Sequence, residues 1–159
     1  MNLAHWIERA KRWLTGARPT PRTSAGESAP RHDGHPTEMR TDHIMCVGPH
    51  GIHRMVYYEW GDPTNPKVLL CVHGLTRTGR DFDELARALA PHYRVICPDV
   101  VGRGLSDWLT LKTDYTIPLY VSDLFTLLGK IRPKTLHWLG TSMGGLIGMG
   151  LASLQGSAA

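Results

Sequence analysis

From residue 41 onward, short apolar runs alternate with amphipathic stretches, and turn residues separate them. Two runs at 42–47 and 52–60 flank a Gly-Pro-His-Gly turn and predict an antiparallel hairpin. Further apolar runs predict buried strands at 67–72, 93–97 and 135–139, while helical periodicity predicts helices at 80–90, 117–131 and 143–154. Strands and helices that alternate in this way form parallel sheets with helices on both faces. We therefore expect an α/β fold with a predominantly parallel sheet.

Residues 1–40 have a different pattern. Apolar residues recur at helical spacing over 3–14, while 17–40 are rich in Pro, Gly, Ser, Thr and Arg. The sequence therefore predicts an amphipathic helix plus a disordered linker in 1–40, followed by a folded domain in 41–159. The helix carries Trp and basic residues and so could make weak contact with an anionic membrane surface through residues 1–16. We favour two simpler alternatives: the helix docks on its own domain, or an upstream start codon adds these residues.

Composition and charge exclude several classes of protein. The chain has 159 residues and a formal net charge of +4, and residues 1–40 hold 7 basic against 4 acidic side chains, so the body is nearly neutral. No basic stripe marks a nucleic-acid surface, and no apolar run approaches the roughly 20 residues of a membrane span. The three cysteines are too few for a disulfide scaffold. We expect reduced thiols and a cytoplasmic location.

A G-x-S-x-G pattern at 140–144 lies between a predicted buried strand and a predicted helix. This strand–turn–helix context is the one that a nucleophile elbow requires. Because the turn is tight, Gly140 and Gly144 would provide room around Ser142, with Gly145 as further clearance. The alternative is an ordinary helix entry in which the serine is only an N-cap.

Two more motifs occur in order upstream of the elbow. His73-Gly74-Leu75 follows the 67–72 strand, and a D-x-x-G-x-G-x-S motif follows the 93–97 strand. With these three motifs the chain resembles the N-terminal half of an α/β-hydrolase, over about residues 52–154. The resemblance implies Ser142 as the nucleophile and the backbone amides of Leu75 and Met143 as the oxyanion hole. It implies structural roles for the remaining motif residues: His73, Gly74, Asp99, Gly102, Gly104, Ser106, Gly140 and Gly144.

The catalytic acid and base are not evident in the sequence. Members of the family carry them after the serine, in the order Ser, Asp or Glu, His. The seventeen residues after Ser142 contain no His, Asp or Glu. His137 is too far along the same strand to reach the hydroxyl, and the family turns the residue matching His73 into its loop. We interpret the chain as an incomplete portion of a serine hydrolase, the alternative being a non-catalytic α/β-hydrolase-like binding protein or an inactive gene remnant.

The nucleophile type limits the chemistry. Within this family a serine at the elbow implies acyl-enzyme chemistry on small-molecule esters, thioesters or amides, without a cofactor. Epoxide and haloalkane hydrolysis are not implied, because those relatives use Asp at that position. Residues 75–80 and Trp108 would line what remains of the pocket wall. No oligomeric state is predicted.

Other clusters of polar residues give weaker evidence for a functional site. The spacing of His43, Cys46, His50 and His53 invites a zinc interpretation, but 43 and 46 point to opposite faces of a regular strand. We therefore predict no metal site there, and scattered polar hairpin residues instead. His32 and His35 could bind metal only weakly. Cys71 and Cys97 fall on strands that the family places side by side, which favours buried free thiols.

Overall fold

The computed structural model describes residues 38–155, and the predicted N-terminal helix, its membrane contact and nearly all of the predicted linker lie outside them. One five-stranded sheet has the strand order β1-β2-β4-β3-β5. Its strands are β1 Arg40–Gly48, β2 Gly51–Trp60, β3 Lys67–Val72, β4 Arg94–Pro98 and β5 Thr135–Gly140. Three α-helices are α1 Asp83–Leu89, α2 Ile117–Ile131 and α3 Met143–Gln155, with short 3₁₀ turns at Gly79–Phe82 and Lys112–Asp114.

The sheet is mixed. β1 and β2 form the predicted antiparallel hairpin, and β2 also pairs antiparallel with β4. β3 is parallel to both β4 and β5, as expected for strands joined through helices. The prediction of an α/β fold is therefore confirmed, with two antiparallel strands added to the parallel ones.

The helix and strand boundaries follow local chemistry. The side chain of Thr116 caps α2 by accepting a 3.4 Å hydrogen bond from the amide of Leu119, and Pro118 occupies the first turn, where its missing N–H costs nothing. The helix ends at Arg132, whose φ of 51° is left-handed. One apolar face of α2 joins the core beneath the sheet, together with Met143, Ile147 and Leu151 of α3.

Two predicted elements differ from the structure. The predicted helix at 80–90 begins as a 3₁₀ turn, and only Asp83–Leu89 is α-helical. The amide of Gly79 donates a 2.7 Å hydrogen bond to the Asp99 carboxylate, which ties the start of this segment to the loop after β4. The predicted buried strand at 135–139 is half exposed, because β5 is a sheet edge that pairs with β3 alone among the described strands.

None of the helices within residues 38–155 has the length and apolar character needed to cross a membrane.

Candidate active site

Ser142 occupies a strained turn between β5 and α3. Its φ of 50° is left-handed, which is rare for a residue with a side chain. The preceding Thr141 amide donates a 3.0 Å hydrogen bond to the carbonyl of Val72, which holds the turn against the end of β3. A β-carbon at Gly140 would overlap the backbone of Gly144, and one at Gly144 would overlap the Val72 carbonyl. The turn therefore admits only glycine at these two positions.

The clearance expected from Gly145 is not needed. A β-carbon there would lie 3.7 Å from the Gly140 carbonyl oxygen, an ordinary contact, so this part of the expectation is wrong. Gly148 has a role that the sequence did not indicate, since a β-carbon on it would overlap the Trp138 indole. The indole nitrogen of Trp138 donates a 3.1 Å hydrogen bond to the carbonyl of Gly144. The indole thus packs against α3 at Gly144 and Gly148, where the helix carries no side chains.

His73 is fully buried and both of its ring nitrogens are engaged. The amide of Val100 donates to Nε2 at 2.9 Å, so Nε2 is unprotonated and Nδ1 carries the hydrogen donated to the Gly74 carbonyl at 2.7 Å. Burial lowers the pKa of His73 below its usual 6.5. The imidazole is therefore neutral and has no free nitrogen to offer Ser142.

The turn at Gly74 lies against the serine. A β-carbon on Gly74 would lie 3.7 Å from the β-carbon of Ser142, so the two turns are in contact. The amides of Leu75 and Met143, which follow these two residues, donate no hydrogen bond to any part of the chain that the structure describes. Nε of Arg103 donates a 3.0 Å hydrogen bond to the Leu75 carbonyl and so fixes the backbone just beyond the first of these amides.

Asp99 connects three segments from a fully buried position. One carboxylate oxygen accepts the amide of Gly79 at 2.7 Å. The other accepts the Leu105 amide at 2.8 Å and the Tyr58 hydroxyl at 2.9 Å. Burial, followed by this hydrogen bond to Asp99, raises the pKa of Tyr58 to about 12, so the phenol stays protonated as a donor.

The rest of the motif shapes the loop around Asp99. Gly104 has a φ of 55°, and a β-carbon on it would overlap the Asp99 carboxylate. Gly102 has a φ of 80° and packs against the ring of Tyr115. The hydroxyl of Ser106 donates to the Asp99 carbonyl at 2.6 Å and accepts the Val56 amide at 2.8 Å, which attaches the loop to β2.

A cleft of about 450 Å³ opens beside the turn at Leu75. It is lined by Leu75, Thr76, Arg77, Thr78, Gly102, Arg103, Gly104, Trp108 and Tyr115. Leu75 and Trp108 are 59% and 77% exposed, so the wall of the cleft presents apolar surface. An apolar ligand placed here would gain contact area at low desolvation cost.

No histidine within residues 38–155 makes a hydrogen bond to Ser142 in this structure. The ring of His137 packs edge-on against Tyr93, with 5.4 Å between centroids. His50 bonds Asp114 at 2.7 Å, far along the chain from the elbow. The described part of the chain therefore places a serine beside two unpaired amides, and none of its histidines is hydrogen-bonded to that serine.

The four residues of the zinc interpretation do not converge. His43 and His50 are exposed, whereas Cys46 and His53 are buried. Cys46 and His53 are cross-strand partners in the hairpin, and Asp123 of α2 joins them. The hairpin register, together with an acidic residue on the apolar face of a predicted helix, was the signal from which this trio could have been found.

Comparison with known proteins decides the family. A sequence profile described as the alpha/beta hydrolase fold matches residues 67–157. The chain belongs to the α/β-hydrolase fold family. A 3-hydroxybutyrate-oligomer hydrolase of Cupriavidus necator is 58% identical over 118 residues, covering 74% of this chain and 40% of the relative. The lipase LipV of Mycobacterium tuberculosis is 35% identical over 93 residues, covering 58% of this chain and 34% of the lipase.

Solved structures agree with this family assignment. An α/β-hydrolase from Novosphingobium aromaticivorans is 37% identical and superposes with a TM-score of 0.62, covering 72% of this chain and 40% of that protein. The chain thus spans well under half the length of these relatives.

Proposed function

We propose that this chain carries the nucleophile and oxyanion hole of a serine hydrolase that cleaves carboxylic esters. The observation that supports the proposal most directly is the pair of unpaired amides, on Leu75 and Met143, beside a serine held at a φ of 50°. In the reaction Ser142 Oγ attacks the ester carbonyl carbon while a base removes the hydroxyl proton. The two amides stabilise the resulting oxyanion, each by about 2.7–4 kcal/mol in the transition state. The alcohol leaves with a proton, and water then hydrolyses the acyl-enzyme.

The acid and base belong, in this proposal, to sequence outside these 159 residues. His73 and Asp99 have their polar atoms occupied by the loops that they hold. The relative from Cupriavidus necator is more than twice as long as the matched region, so that protein has further sequence in which both groups could lie. Ser142 then depends on those groups for its activation.

We propose short oligomers of hydroxy acids as the substrate class. The support is the 58% identity to a 3-hydroxybutyrate-oligomer hydrolase over 118 residues, 74% of this chain. The cleft beside Leu75 offers exposed apolar surface from Leu75 and Trp108, which suits the short alkyl chain of such an acyl group. A cytoplasmic location is part of the proposal and is supported by the three buried free thiols, Cys46, Cys71 and Cys97.

A non-catalytic binding protein is the second candidate function. It is favoured by one observation: no histidine between residues 38 and 155 bonds Ser142. In that case the cleft would bind an acyl ligand without turnover.

Labelling with a fluorophosphonate probe distinguishes the two candidates. The native protein, isolated from its own cells, should be labelled at Ser142, and its intact mass should exceed 17.7 kDa, the mass of these 159 residues. The Ser142→Ala variant should lose the label and about 10⁶-fold of its rate on 3-hydroxybutyrate dimers and trimers. Ser153→Ala, an exposed serine on the same helix, is the matched control and should keep both. Absence of labelling in the native protein would favour the binding protein.

A further inference from the structure

Three metal-binding types of side chain meet far from the elbow, between the hairpin and α2. Cys46 of β1 and His53 of β2 are direct cross-strand partners, and Asp123 comes from α2. Their side chains are nearly inaccessible, with exposures of 0%, 4% and 1%. One sulfur, one nitrogen and one oxygen atom lie within 4.8 Å of one another. The cluster is thus compact and closed to solvent.

The protein partners of this cluster leave two of its polar atoms unsatisfied. His53 Nε2 and Asp123 Oδ2 are 2.9 Å apart and form a hydrogen bond. By geometry His53 Nδ1 and Asp123 Oδ1 have no hydrogen-bond partner among the described residues, although the Cys46 thiol interacts weakly with the Asp123 carboxylate. Buried polar atoms without partners each cost about 1–3 kcal/mol, and folded proteins seldom keep them without a reason. A bound ligand within the cluster would supply such a reason.

We propose that Cys46, His53 and Asp123 bind a divalent metal ion of the zinc type. Zinc takes thiolate, imidazole and carboxylate ligands at about 2.0–2.3 Å, which places tetrahedral donors about 3.3–3.8 Å apart. Donor atoms within 4.8 Å of one another are close to this geometry, and they would fill three of the four tetrahedral positions. The sulfur donor disfavours Mg²⁺ and Ca²⁺, which prefer oxygen ligands.

Charge balance supports a dication. A thiolate and a carboxylate carry two negative charges, and with a neutral imidazole they neutralise Zn²⁺ completely. Burying the loaded site therefore costs no net charge, in contrast to an isolated buried ion. On binding, the Cys46 S–H bond breaks, an S–Zn bond forms and the proton leaves to solvent. Metal binding at this site therefore releases one proton, and it should weaken as the pH falls.

The role of the site is structural. It would join both strands of the hairpin to α2, the helix that packs beneath the sheet and beside α3. The elbow serine is carried by other segments, so the proposal is independent of the catalytic one.

Cobalt binding provides the direct test. The purified native protein is stripped with a chelator and titrated with Co²⁺, whose thiolate complexes absorb in the near ultraviolet. We expect one equivalent of Co²⁺ to give this band, and Zn²⁺ to abolish it by displacement. Cys46→Ser should remove the band and weaken metal binding at least about 100-fold. Cys71→Ser is the matched control, because Cys71 is an equally buried free cysteine on β3, and it should keep the band.

A second measurement separates loss of metal from loss of fold. Zn²⁺ should raise the Tm of the wild type and of Cys71→Ser, but not that of Cys46→Ser, whose far-ultraviolet circular dichroism should match the wild type. The exposed histidines are removed in His43→Ala/His50→Ala, which should retain the band. The proposal is overturned if the wild type shows no thiolate band or if Cys46→Ser keeps it. It is also overturned if the double histidine variant loses the band.

Discussion

The serine elbow and the loop after β4 both contact the turn at His73, yet different forces hold them in place. The elbow depends on backbone approaching backbone, at Gly140 and Gly144, where no side chain fits. The loop depends on one buried carboxylate, Asp99, which accepts three hydrogen bonds. The elbow is therefore positioned by close backbone contacts that only glycine permits, and the loop by hydrogen bonds to a buried carboxylate.

This difference predicts how each region fails. Adding a single methyl group to the elbow forces the backbone of β3 and α3 apart, and no rotamer change relieves the overlap. Removing one acceptor from the loop leaves buried donors unsatisfied but leaves the packing intact. The elbow should fail abruptly, whereas the loop should loosen in proportion to the hydrogen bonds lost.

The largest effect is expected at the elbow. Gly144→Ala places a β-carbon on the Val72 carbonyl and should destabilise the domain by more than about 4 kcal/mol or prevent folding. The neighbouring Gly145→Ala meets only an ordinary 3.7 Å contact and should stabilise the helix by up to about 1 kcal/mol. Urea unfolding of the two variants measures the difference, with soluble yield as the readout if Gly144→Ala does not fold. Equal effects would show that the elbow is not limited by backbone contact.

The next effect concerns the two faces of α3, the helix that follows the elbow. Ile147 is fully buried, whereas Met149 is 63% exposed. Ile147→Ala should cost about 2–5 kcal/mol in the free energy of unfolding, and Met149→Ala less than about 0.5 kcal/mol. A cost for Met149→Ala close to that of Ile147→Ala would mean that another surface covers the exposed face in solution.

A smaller effect is expected at the loop. Asp99→Asn keeps one acceptor oxygen but turns an NH₂ group toward a backbone N–H, and it should cost about 2–3 kcal/mol. Asp107→Asn is the control on the same loop, because that carboxylate is 42% exposed and accepts the Arg54 amide at 2.8 Å. Its cost should stay below about 1 kcal/mol. Amide hydrogen exchange at Gly79 and Leu105 should accelerate in Asp99→Asn alone, and unchanged exchange would contradict the role assigned to Asp99.

Most of the fold could be predicted from the sequence because its signals are local. The 67–72 and 117–131 elements match the structure residue for residue, since an unbroken apolar run and a capped amphipathic stretch each determine their own boundaries. The segment at 79–89 was predicted less well, because the Asp99 carboxylate, from a distant loop, ties down its first turn. The partial exposure of β5 depends on what packs against it, and among the described strands only β3 does, which the apolar pattern of β5 itself does not encode.

The site residues also differ in how well the sequence predicts them. Ser142 and its flanking glycines could be predicted because the tight turn requires a pattern of five consecutive residues, which the sequence contains. The Cys46, His53 and Asp123 cluster was missed, because its third member is 70 positions from His53 and becomes a neighbour only when α2 packs on the hairpin. The Cys46 and His53 pair follows from the hairpin register, whereas the position of Asp123 beside them depends on how α2 packs.

The smallest effect is expected at an exposed ion pair between the hairpin and α2. Neither close backbone contact nor burial holds this pair in place. Lys130 Nζ lies 2.6 Å from an Asp42 carboxylate oxygen, and this hydrogen bond lowers the pKa of Asp42 from 3.8 to about 2. Because the folded-state pKa is depressed, the ion pair stabilises the fold above about pH 4 and is lost as the pH falls toward 2. Both side chains are more than two-fifths exposed, so solvent screening limits the contribution to at most about 1 kcal/mol.

Lys130→Met keeps the aliphatic stem and removes the charge. The pKa of Asp42, followed by NMR, should rise toward 3.8 but remain below it, because the amide of His43 and the hydroxyl of Tyr57 still donate to the carboxylate. The loss of stability should be full above about pH 5, decrease as the pH falls from about 4 to 2, and vanish below pH 2, where the wild-type carboxylate is protonated. An unchanged pKa in Lys130→Met would assign the shift to these two neutral donors. The hairpin would then be held to α2 by its buried contacts alone.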